Sequence, residues 1–158
     1  MDYRDHIITS AKDTQNNLFV QVRAVPADKL SWKPEETARP AIDILAECCL
    51  SLGWVPMVLE NRAFPDFTPE LMAHFEAEKA KLDTIEKCQA KSDELMSVFE
   101  AAVRNFPETD LGVKISSPFG KPEWSVFDVM ELHNWNATYH TGQICYIQTL
   151  LGDTAMHG

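Results

Sequence analysis

Apolar residues return every three to four positions through four long stretches of this chain, and proline or glycine marks most of the breaks. That spacing belongs to amphipathic helices packed on one another, and no stretch keeps the period of two that a half-buried strand requires. The first predicted helix runs from about Tyr3 to Arg23, with Ile8, Ala11, Leu18 and Val22 on one face, Asp2 as N-cap and Pro26 as its stop. Pro40 opens the second, Ala41 to about Glu60, and Gly53 and Pro56 mark its distal part for a kink or break. Asp83-Thr84-Ile85-Glu86 reads as a capping box for the third helix. Its apolar face holds Ile85, Leu95, Val98, Phe99, Ala102 and Val103, and Pro107 stops it. A second capping box, Ser125-Val126-Phe127-Asp128, opens a last helix that reaches Leu151 and stops at Gly152. The expectation is one all-α domain over residues 1–158, a bundle of four main helices.

The connections shape that bundle. Asn61 to Leu82 is too long for a tight turn, so it predicts a crossover between the second and third helices, with a short helical piece from Pro69. Glu108 to Trp124 reads as a loop. A formal charge of −10 with no basic run argues against nucleic acid as a partner. No apolar run suggests a membrane span, and the N-terminus carries no signal-peptide pattern, so the expected location is cytoplasmic. Cys48, Cys49, Cys88 and Cys145 show neither disulfide-framework nor C-x-x-C spacing, which fits reduced thiols.

The last helix is unusual in what its inward face carries. At about 100° per residue, His133, Asn136 and His140 fall within roughly 60° of one another, alongside Val129, Ile144 and Ile147. On the second helix, Glu47 shares a face with Asp43, Ser51 and Trp54, bordered by Ile44, Leu50 and Val58. A carboxylate and an imidazole aimed into a bundle from two helices build either a metal site or a buried hydrogen-bonded pair, and the residues alone leave both open. His133 and His140 lie about 10.5 Å apart along the axis, long for one shared ion, whereas the position four before His140 is Asn136, whose amide oxygen is a weak metal ligand.

The segment from Tyr139 through Gly142-Gln143 to Gly152-Asp153, with its histidine followed by x-G-Q, resembles the terminal helix of the DinB/YfiT-like proteins. Ser31-Trp32-Lys33-Pro34 and Ala41 to Glu47 resemble that family's approach to its second helix. The resemblance implies an up-down-down-up four-helix bundle, often a homodimer, with a small-molecule pocket between the second and fourth helices. It also implies a divalent metal, zinc or nickel, at positions that fall here on Glu47, Asn136 and His140, with His133 as a further candidate. Of those three, His140 alone keeps the family's residue. The implied activity is of hydrolase or thiol-dependent transferase type, with Glu47 and His140 as the catalytic pair. The alternative is a non-catalytic bundle, a small-molecule binder or dimerisation module without metal. Surplus aromatics in the connections (Phe64, Phe67, Phe119) add to the expectation of a homodimer.

Overall fold

The structure, a computed structural model, describes residues 2–120 and 122–158. Helix α1 (Tyr3–Ala24) is followed by a 3-10 turn at Ala27–Lys29, then by α2 (Ala41–Ser51) and α3 (Trp54–Asn61). The crossover carries α4 (Pro69–Lys79), and α5 (Ile85–Asn105) follows. A two-stranded hairpin, β1 (Lys114–Ser116) and β2 (Glu123–Ser125), then leads into α6 (Val126–Met130) and α7 (Leu132–Leu150). The main helices form the expected up-down-down-up bundle, with α1 packed on α7, α2 on α5 and α7, and α3 on α5 and α6.

Several sequence expectations need correction. The second helix is two: after Ser51 the chain turns through Leu52 and Gly53 before α3, and Pro56 sits in the first turn of α3, where its missing N–H costs no hydrogen bond. Ala41–Asn61 taken together is long and apolar enough to cross a membrane by length and composition, contrary to the reading above. More than half of it is buried inside the bundle, where its apolar faces form core. The loop before the last helix contains a strand pair, antiparallel with Ile115 opposite Trp124. Three-residue strands are too short to display an alternation. The cap of α5 is Thr84, which accepts from the Lys87 N–H at 3.2 Å, one residue later than expected. Val98 lies on the outer side of α5, 48% exposed. The last helix is broken at Glu131.

Other caps hold as read. Asp2 accepts from Arg4 N–H at 3.3 Å, and the Ser125–Asp128 box is closed in both directions. Gly152 takes φ +90°, the left-handed conformation that ends a helix without a Cβ clash.

The core is in two parts. One gathers Leu18, Phe19, Val22, Ile44, Leu45, Cys48, Cys88 and Ile144; the other gathers Ile8, Leu52, Val55, Phe99, Val103, Ile115, Val129 and Met130. Polar groups lie within the bundle too: Gln15 Nε2 donates to Ser92 Oγ at 3.0 Å, and Asn136 Nδ2 donates to Ser51 Oγ at 3.2 Å.

Candidate functional site

Glu47 on α2 and His140 on α7 meet, because α2 packs against α7 and both residues occupy inward faces. Glu47 Oε1 lies 3.2 Å from His140 Nε2. The other ring nitrogen, Nδ1, is 2.7 Å from Gln143 Oε1, an amide oxygen that can only accept. In that arrangement Nδ1 carries a proton, and Nε2 donates to Glu47 when the ring is an imidazolium. Glu47 Oε2 accepts from Arg39 Nη1. Arg39 also donates to Asp43 through Nε at 2.7 Å, and Lys79 Nζ lies 3.1 Å from the second Asp43 oxygen. Burial works to raise the Glu47 carboxyl, but the His140 hydrogen bond and the Arg39 charge outweigh it and hold the group at about 2.

Arg39 is the residue that sequence reasoning missed. It stands in the linker before α2, yet the i, i+4, i+8 spacing of Arg39, Asp43 and Glu47 is a signal that places all three along one side.

The other expected ligands behave differently. The Asn136 amide faces Ser51, and also Cys48 Sγ at 3.9 Å. His133 is 1% exposed, neither ring nitrogen has a hydrogen-bond partner, and the Phe99 ring stands 6.5 Å away. Burial lowers its pKa to about 4, so the imidazole is neutral at physiological pH. His6 and His74 are exposed. His157 folds back on its own neighbourhood, with Nε2 2.7 Å from Asp153 Oδ2, and its carbonyl accepts from Gln21. Cys48 and Cys49 are buried, and desolvation of Cys48 pushes its thiol well above the ordinary range, so it is a core residue rather than a thiolate nucleophile.

The metal that the resemblance implies does not fit this donor set. Among the described residues, no three His, Cys, Asp or Glu side chains come together to hold an ion. Glu47 and His140 supply two donors, but a guanidinium already lies on the carboxylate, and the third position offers an amide turned toward a serine.

Beside the pair a cavity of about 980 Å³ opens, lined by Glu47, Ser51 and Asn136 at one side and by residues of α3, α4, the hairpin and α6–α7 elsewhere. His140 is not in its wall. Trp135 is, and so are six rings that pack together: Trp54, Phe64, Phe67, Phe75, Phe119 and Trp124. They touch one another, with centroids 5.4 Å apart for Trp54 and Phe67 and 5.5 Å for Phe64 and Trp124. Phe64, Phe67 and Phe119, which the sequence suggested as dimer contacts, therefore pack inside the molecule's own cavity wall.

The backbone resembles that of three solved structures. YfiT from Bacillus subtilis, described as a probable metal-dependent hydrolase with an unusual four-helix bundle topology, matches with TM-score 0.74 over 94% of this chain and 87% of that one, at 13% identity. A DinB-like protein from Bacillus subtilis, YjoA, matches with TM-score 0.65 over 97% and 96%, at 14% identity. The chain has the DinB-like fold. A mycothiol-dependent maleylpyruvate isomerase also matches, with TM-score 0.65 at 12% identity, over 89% of this chain and 60% of that one. No protein-family model and no curated protein matches the sequence. At these identities the likeness concerns the fold, and the site must be read from its own residues.

Proposed function

We propose that this protein is a small-molecule-binding bundle of DinB-like fold, in which an Arg39–Glu47–His140 hydrogen-bonded network stands where related folds are expected to hold zinc or nickel. The observation that carries the reading is the full engagement of Glu47: one oxygen faces His140 and the other accepts from Arg39. Catalysis by proton transfer favours a group poised near the working pH, and a carboxylate held at about 2 is a weak base there. Both His140 nitrogens are already occupied, by Glu47 and Gln143, so neither is offered to a ligand. The cavity has the size of a small-molecule site and a mostly apolar wall rich in aromatic rings. These features support binding and positioning rather than the hydrolysis suggested for YfiT or the thiol-dependent isomerisation of the more distant neighbour.

Metal analysis and calorimetric titration of zinc and nickel into protein purified without an affinity tag test this reading. The wild type is expected to take up no stoichiometric metal. Asn136→His combined with Arg39→Ala is expected to gain binding of either ion tenfold or more, about 1.4 kcal/mol, because it restores an i, i+4 histidine pair and frees Glu47. Stoichiometric metal in the wild type, lost in both Glu47→Ala and His140→Ala and accompanied by ester hydrolysis that is lost with it, would overturn the reading in favour of a metal-dependent hydrolase.

A further inference from the structure

The six packed rings of the cavity wall make one continuous cluster. Between centroids, Trp54 stands 5.8 Å from Phe75 and 5.4 Å from Phe67, and Phe67 stands 5.6 Å from Phe119. Phe64 meets Phe119 at 5.6 Å and Trp124 at 5.5 Å. None of the six is buried, and Phe67 and Phe119 are 36% and 47% exposed. Their mutual packing therefore leaves apolar surface in water, and that surface lines a concave site. The carboxylates of the same wall are already engaged. Glu47 holds Arg39 and His140, Lys79 Nζ lies 2.7 Å from Glu76, and Asp128 accepts from the Ser125 N–H at 2.7 Å and its hydroxyl at 2.8 Å. Glu131 accepts from the Asn134 amide at 3.0 Å and stays partly in water. An ion entering among the rings gives up hydration, and pairing with a partly exposed carboxylate returns little of it. Ring faces attract cations, but Phe64 meets Phe119 and Trp124 edge-to-face, at 90° and 84°, so ring edges already cover faces in that part of the wall.

We propose that the cavity binds an uncharged aromatic molecule larger than one benzene ring, held by ring contacts with Trp54, Phe67, Phe119 and their neighbours rather than by an ion pair. This assignment rests on the small-molecule-binding reading above and deepens it by naming the ligand class. The rings of the wall are tilted or perpendicular to one another, at 38° to 90°, so they offer both faces and edges to a flat ring system. At about 980 Å³ the cavity lies at the upper end of small-molecule sites, and a single ring would leave much of the aromatic surface wet. The neutral polar groups at its side satisfy each other: Asn136 Nδ2 donates to Ser51 Oγ at 3.2 Å, and Ser51 Oγ donates to the Cys48 carbonyl at 2.9 Å. Apolar area, not a polar anchor, is what this wall has to offer.

Four probes test the proposal by calorimetry on the intact protein: 2-naphthalenemethanol, 2-naphthylmethylamine, 2-naphthoate and benzyl alcohol. At pH 7 the naphthyl alcohol is expected to bind about tenfold more tightly than either ion and about tenfold more tightly than benzyl alcohol. Phe67 and Phe119 belong to neither core cluster, so their truncation spares the bundle. Phe67→Ala and Phe119→Ala are each expected to weaken the naphthyl alcohol about threefold to tenfold, with unchanged helical circular dichroism. If the variants fail to fold, the wild-type series decides alone. An ion or benzyl alcohol that binds as tightly as the naphthyl alcohol, folded ring variants that both bind it as the wild type does, or no binding by any probe up to its solubility would overturn the proposal. Metal uptake is measured on separate samples. Binding led by one of the ions would remove the proposed class and leave the small-molecule-binding reading standing. Neutral-probe selectivity found together with stoichiometric metal and ester hydrolysis would remove that reading and leave the ligand class.

Discussion

Taking an imidazole from water into an apolar interior disfavours its charged form, and His133 meets that condition without a compensating partner. Its pKa lies at about 4 in the folded chain, against the ordinary 6.5. Between those values the unfolded chain binds the proton and the folded chain does not. Stability is therefore fully present above about pH 6.5 and declines as pH falls toward 4, by about 2–4 kcal/mol in all. Glu47 has the opposite chemistry but the same sign. Its carboxyl is depressed from 4.5 to about 2, so its contribution is present above 4.5 and is lost as pH falls through that lower window. Because the group is partly solvent-exposed, about 1–2 kcal/mol is the appropriate scale. Urea unfolding across the acid range should show both slopes. His133→Leu is expected to flatten the curve between pH 6.5 and 4 while leaving the lower slope intact, and Glu47→Gln is expected to do the reverse. A His133→Leu curve that kept the upper slope would show that His133 is not its source.

At the level of elements, termini and breaks determine how the helices present their faces. The Ser125–Asp128 box satisfies two N–H groups at the start of α6, and the α6–α7 segment carries His133 and Asn136 into the cavity wall. Ser125→Ala is expected to cost about 1 kcal/mol of stability, read as a lower urea midpoint with an unchanged slope. Gly53, between α2 and α3, has φ −70° and ψ −17°, which any residue adopts, and an added Cβ meets Leu50 O at 3.4 Å and Leu95 at 3.7 Å, ordinary contacts. Gly53→Ala is thus expected to stabilise by about 0.5 kcal/mol through the unfolded chain, measured as a higher Tm. Asp2, Ser125 and Gly152 were legible because a cap or stop is written in a few adjacent residues. The break at Glu131 was not, since neither glycine nor proline marks it. The candidate site divides in the same way. Glu47 and His140 announced themselves as polar groups on apolar faces, and each needed only its own helix to be recognised. Arg39 lies outside any helix, so its role depends on how the linker folds. The aromatic wall draws its rings from α3, α4, the hairpin and the connections between them, a non-local assembly that no periodicity reveals.

At the scale of the whole molecule, α7 leaves an apolar stripe uncovered. Trp135, Tyr139, Tyr146 and Leu150 are 66%, 56%, 64% and 46% exposed, and at about 100° per residue they fall within roughly 60° of one another. The Trp135 and Tyr139 rings stack 5.8 Å apart, so this end of the stripe is an ordered surface. A second copy of the chain is a suitable cover, because a two-fold axis lets one stripe pack on its equivalent. Two bodies each carrying a formal charge of −10 repel, so such a dimer must be held by this apolar contact and should tighten as salt screens the repulsion. Light scattering at tens of micromolar and 0.15 M salt is expected to give twice the chain mass of 17.9 kDa, with dissociation favoured on dilution at low salt. Trp135→Asp with Tyr146→Asp places four like charges in the symmetric contact and is expected to give a monomer with unchanged helical circular dichroism. A wild-type monomer under those conditions, or a double variant that still dimerises, would rule out α7 as the dimer face.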